Sequence, residues 1–204
     1  MGILSFFQNT QSSLELVGDN LLLRPPTMAD FQSWRDLRLS SKNFLMPWEP
    51  EWRDDEHLLS SYRQRLRRYQ DLMDGDLAYP FFMFANGKKD VVGGITLSNI
   101  RRGVSQSATL GYWVGVVHAN SGHMTRALQT LMPFCFRELE LHRIEAACLP
   151  RNEPSIRLLQ RAGFVREGYA KSYLKIAGIW EDHILWGKLS TDSLPKPADN
   201  LPIT

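Results

Sequence analysis

Between residues 80 and 117 the chain falls into β-type runs, and on both sides of that block apolar side chains recur at helical spacing. A period of two puts alternate residues on opposite faces of a strand, whereas a period of 3.6 puts them along one face of a helix. A chain that changes period in this way must build a sheet and pack helices against it. The three β-type runs are 80–85, 91–100 and 107–117, and Asn86-Gly87 between the first two is a hairpin signal. In the third run Leu110, Tyr112 and Val114 alternate with Gly111, Trp113 and Gly115. Glycine inside a strand marks a bulge or a close approach of another backbone.

Upstream, Leu21–Arg24 reads as a first strand stopped by Pro25-Pro26, and Thr27 is placed to cap a helix starting near Met28. Residues 42–56 hold Pro47, Pro50, Trp48 and Trp52 and read as an ordered loop, followed by a polar helix over 55–73. Downstream, 124–139 has the spacing of a helix, bent at its interior Pro133. A strand over 143–149 follows, then a helix that Asn152 caps and Gly163 closes, then a last strand over 181–189. The order predicts an α/β (α+β) domain whose mixed, mostly antiparallel sheet carries helices on its faces. With 204 residues and 43% hydrophobic content, one core and one domain are expected over 14–190. Residues 1–13 read as an appended arm or short helix, and 191–204 as a flexible Pro-rich tail.

Several function classes are disfavoured. The net charge of +2 gives no argument for nucleic acid or a membrane surface, and no window approaches the apolar length of a membrane span. The two cysteines, Cys135 and Cys148, fit a reduced cytoplasmic protein. The histidines lack metal spacing, so no metal is expected.

Three constellations hold candidate chemistry. At the strand-to-helix turn 118–125, Gly122 lets backbone N–H groups face an anion, and the helix dipole adds about half a positive charge. Ordinary capping by Asn120 or Ser121 explains the same turn. At 150–155, Asn152 and Ser155 suit either helix capping or hydrogen bonds to an amide-bearing cofactor and a leaving group. The loop 48–56 sets Glu49, Glu51, Asp54, Asp55 and Glu56 against Arg53, as a solvated surface or as a lid for a cationic acceptor. His183, beside Glu181 and Asp182, reads as an acid–base group or as a packed ring.

Longer stretches carry a resemblance. FLMPWEP (44–50), LSNIRRG (97–103), LGYWVG (110–115), LHRIEAACLPRNEPSIRLLQRAGF (141–164), REGYAKSYL (166–174) and WEDH (180–183) together resemble the GNAT acetyltransferases. Within them the likeness is to the bacterial ribosomal-protein-alanine N-acetyltransferases of the RimJ type. The resemblance implies acetyl-CoA as cosubstrate, a splayed pair of central strands, and a cytoplasmic monomer or homodimer acting on a protein N-terminus, with no direct contact to nucleic acid or membrane. It places CoA against Trp113, Val114, Gly115 and Val116, against the turn Asn120, Ser121, Gly122, His123, Met124 and Thr125, and against Asn152 and Ser155. Of the family's turn pattern only Gly122 is kept: Ala119, Asn120 and Met124 replace its other residues.

Leu159 stands where many members have a tyrosine acid, which leaves Ser155 as the candidate proton donor. Thr109 and Leu110 occupy the stretch of the usual carboxylate base, so Glu49 or Glu51 is expected to orient the amine or take its proton through water. A weak base suits an α-amine: with a pKa of about 7.7–8.0, roughly a tenth to a fifth is neutral near pH 7, against well under about a hundredth of a lysine. Acetylation of a small amine, or CoA sensing without catalysis, are the competing expectations.

Overall fold

The computed structural model describes residues 14–85 and 87–192. The arm expected at 1–13, Asn86 of the hairpin signal and the tail from 193 on lie outside the described residues.

In chain order the elements are β1 (Leu16–Gly18), β2 (Leu21–Arg24), α1 (Phe31–Ser40), α2 (Lys42–Leu45), α3 (Leu59–Asp74), β3 (Tyr79–Ala85), β4 (Val91–Arg101), β5 (Ser107–Val114), α4 (His123–Pro133), β6 (Arg143–Cys148), α5 (Glu153–Arg161), β7 (Val165–Ile176) and β8 (Ile179–Leu189). Two strands escaped the sequence reading. β1 has three residues, too few to show a period. β7 is exposed along most of its length, so it has no buried face to impose alternation, and antiparallel pairing with β8 holds it in place. The 42–56 segment, expected as loop, includes α2 and a 3₁₀ turn over Met46–Trp48. The bend expected at Pro133 is real. Proline has no N–H for the carbonyl four residues back, and the chain continues as a wider π-turn over Phe134–Glu138.

One eight-stranded sheet runs β1-β2-β3-β4-β5-β6-β8-β7. Every neighbouring pair is antiparallel except β5 and β6. Helices cover both faces. Ala127, Leu128, Leu131 and Met132 of α4 and Leu159 of α5 join the larger core. On the opposite face Trp34 and Leu37 of α1 and Tyr62 of α3 close over Phe82, Phe84 and Val91. The two layers are tied at the end of β2. There Arg24 grips Asp30 with two hydrogen bonds of 2.8 and 2.6 Å, and Tyr62 Oη donates to the Thr27 carbonyl at 2.9 Å. Burial works against the Asp30 charge, but Arg24 and Thr27 outweigh it and hold that carboxyl below its ordinary range.

The parallel pair positions the site. β5 and β6 pair only from Ser107↔Arg143 to Leu110↔Ala146, although β5 runs on to Val114 and β6 to Cys148. Beyond that point β5 stays paired to β4 and β6 to β8, so the sheet opens between two well-supported strands. Gly93 on β4 backs the open end of β5. A Cβ there would stand 2.5 Å from the Trp113 carbonyl oxygen and 3.0 Å from Val114 Cα, and backbone cannot swing aside. Gly93→Ala is therefore expected to cost about 2 kcal/mol through overpacking. In a chain of this size that lowers Tm by about 4–8 °C. A melt within 1 °C of wild type, on any scale of experimental scatter, contradicts this account of Gly93.

Candidate active site

The gap between the splayed strands opens into a cleft of about 550 Å³. Its walls are Leu110–Val114 of β5, Ala147–Leu149 at the end of β6, the turn from His118 to Thr125, and the α5 residues Pro154, Ser155, Arg157, Leu158 and Arg161, with Asn152 just before them. Phe44, Leu45, Trp48 and Glu49 close it from the α2 side, and His183 from β8.

The two ends of the cleft differ in chemistry. Along β5, the edge facing β6 is unpaired past Leu110. Backbone groups need partners, and an extended ligand bearing amides can supply them as an added strand would. At the far end, Gly122 adopts φ +74° as the N-cap of α4, with no side-chain cap. The N-terminal amides of α4 therefore have no competing side-chain acceptor and suit an anion. Asn120 is also left-handed, at φ 58°. His118 and His123 flank the turn with their rings 6.0 Å apart. Burial, then neighbouring cations (Lys88 for His118, Arg126 for His123), holds both imidazoles below their ordinary range. They are neutral donors or acceptors at pH 7.

Gly122→Ala tests the turn. The backbone there is unfavourable for an L side chain, by about 1 kcal/mol, and a Cβ finds only the Arg126 guanidinium, at 3.5 Å. The variant should fold, yet carry a methyl group where a phosphate would approach. Its Kd for CoA is expected to rise about tenfold by calorimetry, equivalent to about 1.4 kcal/mol. An unchanged Kd would remove the turn from the anion site.

At the floor of the cleft Ser155 is buried, and its Oγ lies 2.7 Å from Tyr112 Oη across the splay. Asn152 caps α5, its Oδ1 accepting the Ser155 N–H at 3.2 Å, which fixes Ser155 in the first turn. Burial drives the Tyr112 hydroxyl far above its ordinary pKa, so it is a proton donor that stays protonated. Cys148 lies alongside. It accepts a hydrogen bond from Trp186 Nε1 at 3.3 Å, and burial pushes its thiol up.

Sequence reasoning missed Tyr112 because it read Leu110, Tyr112 and Val114 as one apolar stripe. The available signal was the lone hydroxyl in that stripe, since a buried phenol requires a partner. His183 reads from the sequence either as an acid–base group or as a packed ring. It is buried, and its Nδ1 donates to the Glu181 carbonyl at 2.9 Å, but it also lines the cleft.

The expected residues divide. Trp113, Val114, Asn120, Ser121, Gly122, His123, Met124, Thr125, Asn152 and Ser155 all line the cleft. Gly115 and Val116 do not: Gly115 is buried against Leu37, and the Val116 N–H is taken by Ser41 Oγ at 2.9 Å. The acidic loop also reads differently in three dimensions. Arg38 clamps Glu49 through hydrogen bonds of 2.7 and 2.6 Å, and Trp52 Nε1 adds a third at 2.8 Å. Arg53 holds Asp55 and Arg65 holds Glu56. Both Glu49 oxygens thus accept hydrogen bonds from neighbouring side chains. Glu51 is not among the residues of the cleft. Leu159, at the position of the familiar tyrosine acid, is fully buried in the core. Among the described residues no cluster of three or more His, Cys, Asp or Glu is arranged to hold a metal ion, and no helix is long and apolar enough to cross a membrane.

A split sheet offering strand-like pairing beside a helix N-terminus suits an extended, amide-bearing ligand that ends in an anion. Residues 20–165 match the family described as "Acetyltransferase (GNAT) domain", and the chain belongs to the GNAT acetyltransferases. It is 34% identical over 177 residues to the Bacillus subtilis protein named "Probable N-acetyltransferase YjcK", covering 87% of this chain and 98% of that one. It is also 34% identical over 192 residues to the Escherichia coli [ribosomal protein uS5]-alanine N-acetyltransferase, covering 93% and 97%. Among solved structures, Mycobacterium smegmatis RimJ in complex with CoA-disulfide matches with a TM-score of 0.80 at 33% identity, covering 86% of this chain and 85% of that one.

Proposed function

We propose that this chain transfers the acetyl group of acetyl-CoA to the N-terminal α-amine of a protein, with an alanine-led ribosomal protein as the acceptor suggested by its named relatives. The observation that carries the choice of amine is the state of Glu49. It is the one carboxylate among the described residues of the cleft, and its two oxygens already accept three hydrogen bonds. A site without a free carboxylate favours an acceptor that arrives neutral, and near pH 7 that describes an α-amine far better than a lysine.

The geometry fits direct attack on the thioester. The N–H groups at the open edge of β5 near Val114 stabilise the developing oxyanion. Ser155 Oγ–H protonates the departing thiolate; Tyr112 Oη lies 2.7 Å from Ser155 Oγ, and with the phenol as donor of that pair the serine proton is directed into the cleft. The first turn of α4 carries the pyrophosphate, while Asn152 holds Ser155 in register. The proton lost by the attacking amine leaves to water at the mouth of the cleft, and Ser155 regains a proton from that water, so the cycle closes with none gained or lost.

The test pairs an alanine-led peptide with the same peptide N-terminally blocked and carrying an internal lysine. Mass spectrometry should find acetylation of the first and none of the second. On the free peptide kcat/KM should rise with pH and level off near the α-amine pKa of about 8. Preferential acetylation of the lysine peptide, or an inflection near pH 6.5 that does not follow the acceptor, would reject this reading in favour of a protein base.

A further inference from the structure

Among the described residues, the Asp, Glu, Lys and Arg side chains that line the cleft are Glu49, Arg157 and Arg161. Glu49 is held by Arg38 and Trp52. None of the steps above uses the two arginines.

Pro154, Arg157, Leu158 and Arg161 recur at the three- and four-residue spacing of one helix face, so α5 turns that face to the cleft along its length. Ser155, at the sulfur end, lies in the first turn. Arg161 lies in the last turn, about 9 Å further along the helix axis. The two arginines differ in commitment. Arg157 Nη1 donates to Glu153 at 2.8 Å, an exposed pair that water screens. Arg161 is exposed and has no hydrogen-bond or ion-pair partner among the described residues. Attraction to the carbonyl end of α5 accounts for a cation in its last turn. It does not require that cation to face the cleft with a second one a turn before it.

CoA brings two anionic groups. Its pyrophosphate falls to the N-terminal amides of α4. The arginine beside that turn, Arg126, is outside the cleft lining and donates to the Ser121 carbonyl at 3.1 Å, with Asp19 3.9 Å away. The second group is the 3′-phosphate on the ribose, at the end of CoA remote from the sulfur. A phosphate monoester carries about 1.5 to 2 negative charges at pH 7. A guanidinium answers it with two parallel N–H donors, which neither a helix terminus nor an ammonium supplies.

We propose that Arg161 binds the 3′-phosphate of CoA, with Arg157 one turn back adding to the positive field, so that this end of the cleft distinguishes CoA from its 3′-dephosphorylated form. The inference rests on the acetyl-CoA reading above and adds the side chain that reads the far end of that cosubstrate. Arg161 is thus a specificity-determining residue for the cosubstrate.

Calorimetry of the full chain with CoA and with 3′-dephospho-CoA tests this, at one ionic strength because salt screens exposed charges. The wild type should bind CoA about tenfold more tightly than dephospho-CoA. Arg161→Ala should raise the Kd for CoA about tenfold and leave that for dephospho-CoA within about twofold, so that the preference disappears. The site is exposed, so the variant should fold, and its retained affinity for dephospho-CoA shows that it has. Equal wild-type Kd values for the two ligands, a preference that survives in Arg161→Ala, or an equal loss of both ligands in that variant overturns the proposal. A wild type that binds neither ligand overturns the acetyl-CoA reading itself and the subsite with it. That failure is distinct, because the others leave CoA binding by the wild type intact.

Discussion

Ser155→Ala is expected to lower kcat by about 10²-fold while leaving the Kd for CoA within about threefold, because a positioned general acid contributes roughly that much to the chemical step. The structure adds a sharper expectation. Tyr112 Oη and Ser155 Oγ are 2.7 Å apart, so the two hydroxyls form one unit. Tyr112→Phe alone should cost about tenfold in kcat, and the double variant should lose no more than Ser155→Ala does, since residues acting as a unit are strongly non-additive. Steady-state rates of the three variants, with calorimetry for CoA, check this. Losses that simply multiply would show that Tyr112 acts apart from Ser155. An unchanged rate in Ser155→Ala would remove it from the mechanism.

Glu49→Ala should be strongly destabilising although the side chain lies at the cleft and is partly exposed. Arg38 is buried and its terminal nitrogens answer to Glu49. Removing the carboxylate strands a guanidinium away from water, and breaking a buried pair in this way costs about 3–5 kcal/mol. Glu49 is partly exposed and Glu56 remains near Arg38, which places the expected value at the lower end, about 3 kcal/mol. In a chain of this length that is a fall in Tm of about 6–12 °C. Glu49→Gln retains acceptor capacity for Arg38 and Trp52 and should cost about half as much. Urea unfolding of both variants measures this. If instead Glu49→Gln melts like wild type but loses kcat with an altered pH–rate profile, Glu49 is the base after all.

The segment around Arg38 and Glu49 also shows how far the sequence could be read. Asn152, Pro154 and Gly163 marked the ends of α5, and Pro133 marked the bend after α4, because capping and proline geometry act over three or four residues. The apolar runs of β3, β4 and β5 located the centre of the sheet, since a short apolar run bounded by polar and glycine positions marks a strand that the fold buries. β7 left no such record because its contacts are with β8, not with a core beneath it. The resemblance carried by the longer motifs then supplied the acetyl group and the splay, neither of which any single element implies.

What depended on tertiary structure was which polar groups meet. The acidic loop at 48–56 reads as a lid for a cation until Arg38, on a helix eleven residues earlier, closes on Glu49 and Arg65 on Glu56. Tyr112 reads as one more apolar position until the divergence of β5 and β6 sets it against Ser155, 43 residues on. The physical reason is the same in both cases. Periodicity and caps report each residue's nearest neighbours along the chain, whereas the charge state and hydrogen-bond capacity of a buried group are decided by whatever the fold packs beside it. The sequence by itself determined an α/β chain with a glycine turn at the start of α4 and a capped helix that carries Ser155. The tertiary structure alone decided that the serine has a tyrosine behind it and that the nearby carboxylate is already held by an arginine and a tryptophan.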